Sequence, residues 1–94
     1  MFGRGRIKDG VREQAKLLEL APTAKGARQT GKRNVEHALK LQLRGAVVNH
    51  EEQVVATKMP LVGDLIPVIV SASDPSRLRI DWDAMPDIAD RALA

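Results

Sequence analysis

Few residues in this chain have the type and spacing to do chemistry. The 94-residue sequence holds two histidines, His37 and His50, and no cysteine. Thiolate metal sites, a cysteine nucleophile and disulfides are therefore excluded. His50 lies in the run Asn49-His50-Glu51-Glu52, which offers nitrogen and oxygen ligands to a divalent cation. The spacing is not the His-Glu-x-x-His pattern that puts two imidazoles on one helical face. In an extended chain adjacent residues point to opposite faces. We read His50 as a turn residue and His37 as a structural histidine on the leucine face of a strand. Asp81, Asp83 and Asp87 lack the central glycine and terminal glutamate of a calcium loop, so they read as a solvated charge face. Ser71, Ser73 and Ser76 surround an Asp74-Pro75 turn, where serines serve the backbone. They form no Gly-x-Ser-x-Gly elbow. The glycine–base pairings near Gly3–Arg6 and Gly31–Arg33 are not a phosphate-binding loop. These patterns point away from an enzyme, and no cofactor or metal is expected.

Charge is the next feature with chemical content. The formal net charge is +3, but residues 1–47 carry eleven bases against four acids and residues 48–94 four bases against eight acids. A basic half can gather phosphates or an acidic partner by long-range attraction. The candidate contacts are Arg12, Lys25, Arg28, Lys32, Arg33 and Arg44. Only Phe2 and Trp82 are aromatic, which is poor equipment for stacking single-stranded bases. Sequence-independent nucleic-acid binding therefore stands behind protein interaction as the expected role.

The elements that must position these residues are mostly β. A chain of this length makes one small domain with a thin core. Residues 1–10, rich in Gly and Arg, read as a mobile basic segment. They have no apolar stretch like that of a secretory signal, and a cytoplasmic location is expected. Val11–Leu20 has the composition of a helix, yet a strand is also open. Its alternation is untidy: Lys16, Leu18 and Leu20 would share one face, Ala15, Leu17 and Glu19 the other. Ala21–Asn34 reads as an exposed basic loop with Pro22, Gly26 and Gly31.

From Val35 onward the pattern has period two. His37, Leu39, Leu41 and Leu43 point one way, and Glu36, Ala38, Lys40, Gln42 and Arg44 the other. A turn between Gly45 and Asn49 would lead into a second strand, Glu51–Met59, ended by Pro60. Asp64–Val70 is apolar on both faces. Pro67 in it has no N–H and belongs near an edge or a bulge. Arg77–Asp83 alternates again, with Leu78, Ile80 and Trp82 inward and Arg77, Arg79, Asp81 and Asp83 outward. The expected core is Trp82, Leu39, Leu41, Val68, Val70 and Ile80, and truncating Trp82 should cost roughly 3–5 kcal/mol. Residues 84–94 suit a short helix: Pro86 fits a first helical position and Asp87 the positive helix end. Ile88 and Leu93 on its apolar stripe are candidates for docking a partner.

Several of these residues also carry a family resemblance. The Ala15–Leu18 segment, a glycine-bearing loop, the Val54–Thr57 segment, and above all Gly63–Asp83, with its Pro-Val-x-Val strand, Asp-Pro turn and Trp-Asp end, resemble a small β-rich domain of uncharacterised actinobacterial proteins. The resemblance implies five antiparallel strands, with Val11–Leu20 as the first, and no agreed activity. Together the readings give a mostly-β domain over residues 11–83. It would have about five antiparallel strands in a small twisted sheet or partly open barrel, followed by the short C-terminal helix. The expected function is non-enzymatic, a protein-interaction or assembly module that self-associates as a homo-oligomer or binds another protein.

Overall fold

The computed structural model describes residues 7, 9–29, 31 and 34–88. Five antiparallel strands form one sheet: β1 (Gly10–Pro22), β2 (Val35–Leu43), β3 (Ala46–Val54), β4 (Leu65–Ser71) and β5 (Leu78–Ile80), in the order β3-β2-β1-β4-β5. The sheet curls into a half-barrel. Its concave face carries the core of Ala15, Leu17, Leu39, Leu41, Leu43, Ile66, Val68, Val70, Leu78 and Ile80, with Met85 closing one end. β2, β4 and β5 contribute by period two, as expected of a sheet with one dry face, and β3 adds only the partly buried Val48.

Val11–Leu20 is a strand, and its untidy alternation has a cause. The β1–β2 register runs Leu17 opposite Leu41, then Glu19 opposite Lys40. Leu18 is the extra residue of a β-bulge, which flips the parity of everything after it. Ala15 and Leu17 point inward before the bulge and Leu20 after it. A bulge in the central strand also adds the local bend that a short sheet needs to curl.

The β2–β3 hairpin differs from expectation. Arg44 (φ 53°) and Gly45 (φ 78°) both take the left-handed conformation. That is the requirement of a two-residue hairpin turn with the same hand of twist as its strands. Leu43 therefore faces Ala46, and the second strand spans Ala46–Val54 instead of beginning after Asn49. His50 lies in mid-strand, not in a turn. The chain leaves the sheet at Val55 for a single 3-10 turn, Ala56–Lys58, whose first N–H is accepted by Asn34 Oδ1.

Residues 21–34 are not all loop. Thr23 caps a one-turn helix, α1 (Ala24–Ala27), accepting from the Gly26 N–H at 3.0 Å. Gly26 is buried against β2, and a Cβ built on it would meet the Glu36 carbonyl oxygen at 2.0 Å. Backbone cannot yield as a side-chain tip can. Gly26→Ala should therefore cost about 1–3 kcal/mol, read as a lower urea midpoint with an unchanged m-value.

Pro67 is not on an edge strand, yet its missing N–H decides where β5 ends. Its carbonyl accepts from the Asp81 N–H at 3.0 Å. A full antiparallel pair would return a bond to the Asp81 carbonyl, and proline cannot donate it. Ala84 N–H takes that carbonyl instead, at 3.1 Å. The chain turns into a 3-10 helix, Trp82–Ala84. Trp82 is consequently not the last inward residue of a strand. It is half-buried, packed on the core from the side. Asp81, expected in water, is buried at 5% exposure and reaches Arg12 Nε at 3.8 Å, while Asp83 is exposed. Of the C-terminal helix, only residues 86–88 are described, and its remainder with Leu93 lies outside the described residues, as do residues 1–6. Among the described residues no helix is long and apolar enough to cross a membrane.

Candidate interaction site at the sheet edges

The sheet's two edges, β3 and β5, face each other across the open side of the half-barrel. They do not hydrogen-bond strand to strand. A side chain joins them instead. Glu52 sits on the concave face of β3, where Val48, His50, Glu52 and Val54 alternate with the exposed Val47, Asn49, Glu51 and Gln53. Its Oε1 accepts the Ile80 backbone N–H of β5 at 3.0 Å and its Oε2 accepts Trp82 Nε1 at 2.6 Å. His50 Nε2 lies 2.7 Å from Oε1. One carboxylate thus stands where a ladder bond would be. His37 faces Glu52 across the β2–β3 pair, but its Nδ1 is engaged with the Val35 carbonyl at 2.8 Å. The same carboxylate and two imidazoles do not converge on a point: no group of three potential ligands among the described residues could hold a metal ion.

No family model, curated protein or solved structure matches this chain.

Beside Glu52 lies a cavity of about 620 Å³, bordered by Glu36, Glu51 and Glu52 with Lys25, Leu78 and Arg79. Arg79, expected in water, is half-buried there. Its Nε is buried with no hydrogen-bond partner among the described residues. Such an orphan donor is uncommon and costly. Sequence reasoning misses both: Glu52 reads as part of the turn around His50, and Arg79 as one more charge on a wet strand face. The available signal was Glu52 falling in phase with Val48 and Val54.

The basic candidates are not gathered. Arg12 stands near the start of β1 and faces Asp81; Arg44, in the hairpin turn, pairs with Glu13 through Nε at 2.9 Å. Lys25 and Arg28 lie past the other end of β1, in and after α1. Ten residue steps separate Arg12 from Pro22, about 30 Å of extended chain. Lys32 and Arg33 lie outside the described residues. Ile88 is exposed at 47%.

The serine hydroxyls mostly bond carboxylates; Ser71 Oγ alone among them accepts a described backbone N–H, that of Asp74 at 3.2 Å. Asp9 accepts from Ser73 Oγ at 2.7 Å, Ser71 Oγ at 3.0 Å and the Ser73 N–H at 3.1 Å, tying the start of β1 to the end of β4. Hydroxyl bonds from Ser73 and then Ser71 hold the Asp9 carboxyl below its ordinary value of 3.8. The Ser76 hydroxyl and N–H do the same for Asp74. A depressed carboxyl contributes stability that is complete above its unfolded pKa and lost as pH falls through the folded value. Urea midpoints of the wild type should therefore decline below about pH 4, whereas Asp9→Ala should start lower at neutral pH and decline less. An identical acid decline in both would contradict this role for Asp9.

Proposed function

We propose that this chain is a non-enzymatic protein-interaction module that associates by adding a strand to the free edge of β3. The observation that carries the reading is the state of that edge. In a two-residue hairpin the residues flanking the turn bond each other, and alternate residues do so thereafter. Val48, His50, Glu52 and Val54 therefore spend their backbone groups on β2. The N–H and C=O groups of Val47, Asn49, Glu51 and Gln53 point outward. A nine-residue strand with an open edge is a template for pairing unless something blunts it. No Pro or Lys sits in β3, and Val47 is 56% exposed. The opposite edge has only three residues and is crossed by the Trp82–Ala84 turn.

A second copy of the chain supplies the simplest added strand, giving a homodimer. Light scattering over a concentration series should show mass rising from monomer toward dimer. Asn49→Pro should hold the monomer while leaving the far-ultraviolet circular dichroism unchanged, since residue 49 donates outward and not to β2. A wild type that stays monomeric throughout would contradict self-association. A proline variant that still dimerises would move the interface off β3.

A further inference from the structure

A strand that pairs with its own copy must choose a register, and the residues of β3 favour one. A two-fold pair in one sheet is antiparallel, and its concave-face residues oppose concave-face residues. Centred on His50, all nine residues of β3 pair. Val47 then meets the second copy's Gln53, and Asn49 its Glu51, so every outward residue bonds. Centred on Glu51, that carboxylate would oppose its own copy, which is destabilising. Centred on Asn49, Gln53 would have no strand residue to meet. The Glu52 bridge to Ile80 and Trp82 leaves from the concave face and uses only a side chain. It spends none of the outward backbone groups.

The His50-centred register sets two imidazoles face to face. The backbone of His50 is spent on β2, so across the new pair His50 stands at a non-hydrogen-bonded position. Opposed Cα atoms there lie about 4.5 Å apart. We propose that His50 and the second copy's His50 form a binding site for a divalent transition-metal ion, shared between the two copies. The proposal rests on the reading of β3 as a self-pairing edge and adds the register and the ligand.

The hydrogen bonding of His50 suits that role. Its Nε2 lies 2.7 Å from Glu52 Oε1. An ionised carboxylate only accepts, so Nε2 carries the hydrogen and the neutral ring keeps its lone pair on Nδ1. A carboxylate behind the ring is how metal-binding histidines are oriented. Among the described residues the one buried side-chain nitrogen or oxygen without a partner is Arg79 Nε. His50 Nδ1, which bonds no described residue, is therefore in contact with solvent. In the centred register Glu52 opposes the second copy's Val48, so each carboxylate stays with its own ring. Zinc holds imidazole nitrogens at about 2.0–2.1 Å, which sets two of them roughly 3.3 Å apart on a tetrahedral ion. Rings on Cβ atoms about 4.5–5.5 Å apart can reach that spacing. One copy supplies a single such nitrogen, in keeping with the absence of a metal-holding group among its described residues. Water fills the remaining positions, and imidazole selects zinc and its transition-metal neighbours over magnesium.

The test is light scattering over a concentration series in EDTA, zinc chloride or magnesium chloride. Zinc should lower the dimer dissociation constant by about tenfold or more, and magnesium should leave it unchanged. His50→Gln should dimerise like the wild type in EDTA and ignore zinc, with its circular dichroism unchanged. His37→Gln, at the only other histidine, should keep the zinc response. The chain has no cysteine, so single cysteine variants report the register. Oxidised His50→Cys should give a disulfide-linked dimer. Asn49→Cys and Glu51→Cys should not, because each lies two residues out of register with its own copy, beyond disulfide reach. A dimer that ignores zinc, or a zinc response that survives in His50→Gln, overturns the site while the β3 edge stands. Cross-linking through Asn49→Cys instead of His50→Cys moves the axis and likewise overturns only the site. A chain that is monomeric with and without zinc overturns the β3 edge and the site together.

Discussion

Replacing Glu52 by alanine should destabilise the domain by about 2–4 kcal/mol, because two donors, one of them the N–H of a half-buried indole, lose a charged acceptor. The donors are Ile80 N–H and Trp82 Nε1, which sit 3.0 and 2.6 Å from its two oxygens. The side chain is 19% exposed, so water repairs only part of the loss. In a domain of this size the shift in midpoint temperature is roughly 10–25 °C. Glu52→Gln keeps one acceptor oxygen and should fall between wild type and alanine. The neighbouring Glu51→Ala, on the exposed face of the same strand, should change stability by less than about 0.5 kcal/mol. A Glu52→Ala variant as stable as Glu51→Ala would show that the carboxylate does not hold the two edges together. Thermal melts followed by Trp82 fluorescence read both.

Leu41→Ala should cost about as much or more, in the range of 2–5 kcal/mol. Leu41 is fully buried on β2, opposite Leu17 on one side and Val48 on the other. It therefore lies at the centre of the concave face, where the cavity left behind is walled by three strands and cannot collapse. A 94-residue domain has a total stability of only about 5–14 kcal/mol, so this one change removes a large part of it. Val47→Ala, one strand away but pointing outward, is the control, with less than about 0.5 kcal/mol expected. Urea denaturation distinguishes the two directly. The expectation for Trp82→Ala is reduced by the structure: a half-buried side chain at the barrel's open end leaves no enclosed cavity. Its loss should fall below the 3–5 kcal/mol of a core aromatic.

The strands were legible wherever one face is dry. The leucines of β2 at every second position announce a strand despite their weak β preference. The apolar run of β4 likewise announces a strand, but the expectation that both its faces are covered fails: Ile66, Val68 and Val70 are buried, whereas Ile69 is half-buried and Leu65 exposed. What period two cannot carry is a change of phase. Leu18 inserts one residue into β1, and without a partner strand to count against, a bulge looks the same as a poor pattern. Left-handed backbone at Arg44 was equally hidden, since arginine seldom takes that conformation. The pattern therefore puts the hairpin turn too late. Pro67 did signal an irregularity, but the consequence fell on its neighbour strand, where Asp81 could not be paired in full. The candidate site was the least legible part. Its chemistry lies in one carboxylate bridging residues 28 and 30 positions further along the chain, and no local spacing reports such a contact.

In the proposed function, the outward backbone groups of β3 form a free edge that recruits a strand. Amide hydrogen exchange along β3, followed by NMR from dilute to concentrated solution, tests it most directly. In the monomer the amides of Val48, His50, Glu52 and Val54 should be protected and those of Val47, Asn49, Glu51 and Gln53 should exchange freely. As the mass rises, protection should appear on the second set. If the second set is protected already in dilute monomer, or stays unprotected while the protein dimerises, the β3 edge is not where this domain meets its partner.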